Sequence, residues 1–155
     1  MFPKPKAREK KKRKRMNAVR PEGKRSYSAE QRARRKAEDT EYRRFRRPTY
    51  LMDLARSQGR LVRREEDIPG EFPNQKLHAL RPDELPLCEV GLEAAGCHGE
   101  LPALHVHHKR GRGPHLNDPS TYLGVCVRCH DWIEQNRRAA RENGWLLSRN
   151  GEAKS

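Results

Sequence analysis

Polar side chains dominate the first regular stretch of the chain. From Ser28 to Arg47, twenty residues pass without a glycine or proline. Ser28 with Gln31 three positions on is a capping-box start, so a helix is expected here, ended by Pro48. Its apolar positions are only Ala29, Ala33, Ala37, Tyr42 and Phe45. Basic residues cover most of the circumference, which suits a helix lying on nucleic acid better than one packed on a core. A second short helical stretch, Thr49 to Ser57, turns Leu51, Leu54 and Met52 inward before Gln58 and Gly59 end it. Periodicity then fades, and Pro69, Gly70, Pro73, Pro82 and Pro86 predict a linker wrapped on the surface.

Period-two alternation returns in Leu101 to His108 and predicts a strand, with a bend over Lys109 to Gly113. Tyr122 to Val127 is a second β-like run. Asp131 to Asn143 reads as a helix with Trp132, Ile133, Ala139 and Ala140 on or near one face, and Gly144 stands in the stop position. The expected organisation is a disordered basic tail over 1–27, a basic helical segment over 28–58 and a linker over 59–86. A domain over 87–149 and a flexible C-terminus over 150–155 complete it.

Composition narrows the classes. In 155 residues 33% are hydrophobic and 36% charged, which excludes a large enclosed core. The longest uncharged stretch, Pro119 to Val127, has nine residues, far short of the ~20 that span a bilayer. The basic start has no apolar stretch behind it, unlike a secretory signal, so a cytoplasmic protein with reduced thiols is expected.

Charge is unevenly placed. The formal net charge of +14 resides in residues 1–50, which hold 20 Lys and Arg against 6 Asp and Glu; residues 51–155 are neutral, with 15 of each. Such a polycation gains free energy by releasing counterions condensed on a polyanion, a salt-sensitive and sequence-independent grip on nucleic acid. Lys10 to Arg15 also reads as an import signal if the source is a nucleated cell.

All four cysteines and six of the seven histidines lie within 43 residues, from Cys88 to His130. A domain of ~60 residues seldom holds together by apolar burial alone, and metal ligation is the usual remedy among reduced thiols. The two-residue spacing of Cys126 and Cys129 lets both sulfurs reach one ion, and Cys88 and Cys97 form a wider knuckle, completing a tetrahedral zinc site of four thiolates. Disulfides are the alternative and need an oxidising compartment. Cys126-x-x-Cys129-His130 is also the spacing of covalent haem attachment, which would leave Cys88 and Cys97 unexplained. The histidines are then left over, and His105, His107, His108 and His130 make a second candidate metal site of nitrogen ligands.

These motifs together resemble a known family. Cys88-x8-Cys97, then Leu-His-Val-His-His-Lys-Arg-Gly-Arg-Gly, then Thr-Tyr-Leu-Gly-Val-Cys-Val-Arg-Cys-His-Asp-Trp-Ile-Glu, is similar to HNH endonucleases of the kind common in bacteriophages and prophages. The resemblance covers about residues 87–149. It implies a small α+β protein in which a ββα-metal (His-Me finger) nuclease domain with a structural four-cysteine zinc site follows the basic N-terminal region. By that resemblance His107 and His130 hold one catalytic divalent ion such as Mg2+, Mn2+ or Ni2+, and His108 is the general base. DNA phosphodiester hydrolysis would leave a 5′-phosphate and a 3′-hydroxyl.

Phage proteins of this type often work beside the packaging terminase, an implied partner. The family's middle asparagine usually lies five residues before the first cysteine of the CxxCH turn; here that position is Thr121, with Asn117 four residues earlier, and either is a candidate for its role. Lys109, Arg110 and Arg112 follow the base in a glycine-rich segment that lets the backbone approach a phosphate. His105 shares the strand face of His107 and is a further ligand or a supporting partner; His98 and His115 have no expected role. The alternative function is a non-catalytic, zinc-dependent nucleic-acid-binding module.

Overall fold

A computed structural model describes residues 27–148. The tail expected over 1–27 lies outside the described residues except for Tyr27, and so does the C-terminus expected over 150–155. The architecture is small α+β, with a single two-stranded sheet and several short helices among the described residues. No helix among them is long and apolar enough to cross a membrane.

Helix α1, Ala29–Glu41, begins at the expected capping box, in which the Ser28 hydroxyl accepts from the Gln31 N–H at 3.1 Å and Gln31 Oε1 accepts from the Ser28 N–H at 3.0 Å. None of its residues is buried, as its thin apolar stripe anticipates. Pro48 does not end the helix. A π-helical segment, Tyr42–Arg46, leads into α2, Arg47–Ser57, with the Arg47 N–H reaching back to the Tyr42 carbonyl. Pro48 then falls in the opening turn of α2, where its missing N–H costs least, and the wider π turn absorbs the register shift. The shift also turns Tyr42 inward, to 4% exposure, while Phe45 stays exposed.

Residues 59–86, expected as a surface linker, are packed. Leu61, Ile68, Leu77 and Leu80 join Leu51, Met52 and Ala55 of α2 in one core cluster that also takes in Ala103, Val106 and Tyr122. The prolines open short helices instead of preventing them: Pro73 starts α3, Pro73–His78, and Pro82 starts a 3-10 turn. Glu84 is buried in this segment, yet its carboxylate accepts from Arg63 Nε and Nη2, both at 2.6 Å, and from the Arg81 N–H and Nη2, both at 2.9 Å.

The Arg63 hydrogen bonds, with those of Arg81, hold the Glu84 carboxyl at about 2 against the burial that opposes them. A carboxyl depressed in the folded state stabilises above its ordinary value, and that contribution is lost as pH falls from about 4.5 toward 2. Glu84→Gln, which removes the negative charge and replaces one of the two acceptor oxygens with a donor facing the guanidinium groups, is expected to cost about 3 kcal/mol in urea denaturation at pH 7 and to flatten the acid limb of the stability curve.

The sheet pairs β1, His105–His108, with β2, Tyr122–Val125, antiparallel in the register His105 to Val125, Val106 to Gly124, His107 to Leu123 and His108 to Tyr122. The expected strand from Leu101 shortens because residues 101–103 turn aside to meet the first cysteine segment: the Cys88 N–H donates to the Leu101 carbonyl at 2.9 Å and the Ala103 N–H to Pro86 at 2.7 Å. Side chains alternate across the hairpin. Val106 and Tyr122 join the core cluster built with α2 and residues 59–86. Val125 joins a second cluster with the four cysteines, Ile133, Ala140 and Leu146.

The expected helix from Asp131 begins earlier and is broken. Helix α4 is Val127–Gln135, Asn136 interrupts at φ −114° and ψ 50°, and α5 is Arg137–Glu142. Cys126 is the N-cap of α4, its sulfur accepting from the Cys129 N–H at 3.4 Å, so the cysteine pair supplies the start signal that a Ser or Asp usually gives.

Candidate functional site

The four cysteines converge. Cys88, Cys97, Cys126 and Cys129 are all buried and unpaired by disulfides, with one sulfur from each within 4.8 Å of all the others. Gly96 supplies the tight corner before Cys97 at φ 66°, and the Arg128 side chain of α4 ties back to the Gly96 carbonyl at 3.0 Å. Burial pushes the Cys126 and Cys129 thiols up. At Cys97 burial acts in the same direction but is outweighed by hydrogen bonds from the Gly99 N–H and the neighbouring sulfurs, and its thiol is lowered. Four soft donors buried together are the donor set that suits zinc or a similar ion.

A second group lies on the face of the hairpin that turns toward α4. His107, His130 and Glu134 each offer a ligand atom within 4.8 Å of the other two. The His107 and His130 rings are 5.6 Å apart, and His107 Nδ1 lies 3.7 Å from Glu134 Oε1. His107 is buried and its Nε2 has no partner. Burial, then the nearby His130, lower the His107 imidazole, which favours the neutral form that ligates metals. His105 lies on the same face, 5.7 Å from the His130 ring, but is exposed and outside the three-residue cluster.

His108 points to the other face, as its place next to His107 in β1 requires. Its ring is 5.0 Å from those of Tyr42 and Tyr122, it is 5% exposed, and neither ring nitrogen has a partner. Burial, then Arg112, lower its imidazole to about 4, so it is neutral at pH 7. His107, His108, Arg112, His130 and Glu134 all line one open cleft of about 270 Å³ at the end of the hairpin. The three histidines singled out in sequence therefore share a cavity.

Other sequence candidates are placed differently. Thr121 is buried just before β2, and its hydroxyl donates to the Asp118 carbonyl at 2.8 Å. Its own carbonyl accepts from the Lys109 N–H at 2.8 Å, so the link to the residue after His108 is made by backbone. Asn117 carries a buried side-chain oxygen without a partner. Of the basic trio only Arg112 lines the cleft; Arg110 acts on Asp118, and the Lys109 carbonyl is held by the Leu147 N–H at 2.7 Å. His115 sits 3.8 Å from Asp118, and His98 is exposed.

One residue that lines the cleft, Glu134, and one that packs on His108 behind it, Tyr42, carry no plain signal in the sequence. Glu134 is four positions after His130, the spacing that stacks two side chains on one helix face. A helix started at Asp131 leaves His130 off it and hides that pair. Tyr42 reaches His108 only because of the π-helical register shift. Comparison of the chain with protein-family models, with curated proteins and with solved structures finds no match.

Proposed function

We propose that this chain is a metal-dependent DNA endonuclease of the HNH type. The observation that carries the reading is the joint placement of a three-donor cluster, His107, His130 and Glu134, and a buried histidine with no partner, His108, along one open cleft. The donor set, two imidazoles and a carboxylate, suits a borderline divalent ion with positions left open. When bound, such an ion neutralises charge on the phosphate and on the departing oxygen.

The chain's own groups supply the rest. His108, neutral at pH 7, accepts a proton from a water whose oxygen attacks phosphorus. The P–O3′ bond breaks, and the 3′-oxygen takes up a proton from solvent, leaving a 5′-phosphate and a 3′-hydroxyl. The four-cysteine site braces β2 and α4, which fixes His130 and Glu134 against β1. The basic segment before residue 51 gives affinity for duplex without regard to sequence.

The test is conversion of supercoiled plasmid in Mg2+, Mn2+ or Ni2+, or with no added divalent ion, by the zinc-loaded full chain and by His130→Ala. Metal-dependent nicking, reduced by about 100-fold or more in His130→Ala at unchanged zinc content, is expected. An intact plasmid with every metal, from folded and zinc-loaded protein, removes autonomous catalysis. One observation favours the non-catalytic nucleic-acid-binding alternative: the Thr121 hydroxyl is committed to Asp118 and does not hold His108. That alternative predicts binding to DNA with no cleavage under any of these conditions.

A further inference from the structure

Three guanidinium groups belong to separate segments that carry or adjoin the histidines, and one of them lines the cleft. Arg112, in the loop after β1, lines it. Arg47, at the start of α2, donates from Nη2 to the Leu104 carbonyl at 2.6 Å and so is anchored to the residue before His105. Arg137, first residue of α5, follows Glu134 by three positions across the Asn136 break. Burial comes first in lowering each imidazole, and the positive charge of one of these arginines adds to it: Arg47 at His105, Arg112 at His108 and Arg137 at His107. None of the three has a carboxylate partner among the described residues, whereas Arg138, next to Arg137, closes on Glu142 at 3.1 Å.

Uncompensated positive charge around a cluster built to hold a cation works against the cation alone. It is balanced when an anion enters with it, and a planar guanidinium fork matches phosphate oxygens. Arg47 is the informative member, because it comes from the N-terminal helices and not from the zinc-braced region.

We infer that Arg47, Arg112 and Arg137 form a three-point clamp on the phosphodiester backbone, gripping phosphates on either side of the one that enters the cleft. The helical arm is then part of the substrate site and not merely an electrostatic tether. The identity of the anion as DNA rests on the nuclease reading; the clamp itself is read by binding alone.

The experiment titrates a fluorescent 16-base-pair duplex with the zinc-loaded full chain, without chelator and without added Mg2+, Mn2+ or Ni2+, over a range of NaCl concentrations. Three variants are compared with the wild type: Arg47→Lys/Arg112→Gln/Arg137→Gln, Arg112→Gln/Arg137→Gln, and a control of equal charge loss to the double, Arg56→Gln/Arg138→Gln, whose arginines pair with surface carboxylates. Removing one arginine from its phosphate should reduce the slope of log K against log salt by about 0.9, so the double variant is expected to fall by nearly 2 units and the control by much less. Equal slopes in the double variant and the control overturn the clamp. So does a wild-type slope in the double variant, which removes only exposed, unpaired side chains and leaves the Arg47 anchor in place.

Steady-state cleavage by the same proteins separates this inference from the reading it deepens. A KM raised about tenfold or more at nearly constant kcat supports the clamp, as expected of interactions made equally in ground and transition states. A wild type that cuts nothing while the slopes fall as stated removes the nuclease and keeps the clamp as a nucleic-acid surface. A wild type that cuts, with slopes unmoved, does the reverse.

Discussion

Cys126→Ser in the full chain is expected to abolish the cooperative unfolding of the part of the molecule that contains α4, and chelation of the wild type is expected to do the same. The second core cluster is small: besides the four cysteines, its buried members are Val125, Ile133, Ala140 and Leu146. Half of that core is therefore cysteine, and apolar burial alone leaves it marginal. A structural zinc ion contributes an apparent ~10–16 kcal/mol to such sites, comparable to or larger than the ~5–15 kcal/mol of net stability of a whole domain.

Cys126 carries more than a ligand. Its sulfur caps α4 by accepting from the Cys129 N–H, so its loss weakens the helix start as well. Trp132 and Trp145, whose rings meet at 6.1 Å beside this cluster, report the change in fluorescence and near-ultraviolet circular dichroism. The expected result is loss of one zinc per chain and of the Trp signal's sharp thermal transition, with the helical arm retaining part of its far-ultraviolet signal. A variant that melts at the wild-type temperature, with or without chelator, would show that the cysteines stabilise as ordinary buried residues.

How much of this is legible in the sequence depends on the range of the interactions. The Ser28 cap is local, written in four consecutive residues, and it stands as expected. The four-cysteine cluster spans 42 residues of sequence, yet spacing within each pair and the chemistry of thiols are enough to bring it together. Residues 59–86 read wrongly as a linker because Leu61, Ile68, Leu77 and Leu80 follow no period. Their burial depends on the face that α2 and the hairpin present, which no local window contains. Pro48 misleads for a related reason: a proline forbids one hydrogen bond, but the chain meets that demand with a π-helical turn and continues. The cysteines themselves conceal the start of α4, since cysteine is not among the usual capping residues, and with that start goes the pairing of His130 with Glu134.

His108→Ala is the second change with a large expected effect, and it discriminates among roles that other variants leave mixed. On the proposed nuclease reading, substituting His107, His130 or Glu134 removes a donor of the three-residue cluster, so any loss of activity combines ion affinity with chemistry. His108 faces away from that cluster, beside Tyr42 and Tyr122, and both of its buried nitrogens lack a hydrogen-bond partner. Removing it should leave binding of Mn2+ and of duplex nearly unchanged while the rate of nicking at saturating metal falls by about 10² to 10⁴, the range for loss of a general base.

The tyrosine rings fix what replaces the imidazole. A cavity opens between Tyr42 and Tyr122 in His108→Ala, costing roughly 1–3 kcal/mol of stability by large-to-small truncation, so single-turnover rates are to be measured well below the melting transition. Added imidazole, small enough to enter that cavity, is expected to restore a part of the rate in proportion to its neutral fraction. Rescue by imidazole but not by a cation of equal size would assign His108 to proton transfer. A rate within about threefold of wild type in His108→Ala, less than the smallest effect of losing a general base, would remove the base from this site and turn attention to the bound ion's own surroundings, His105 included.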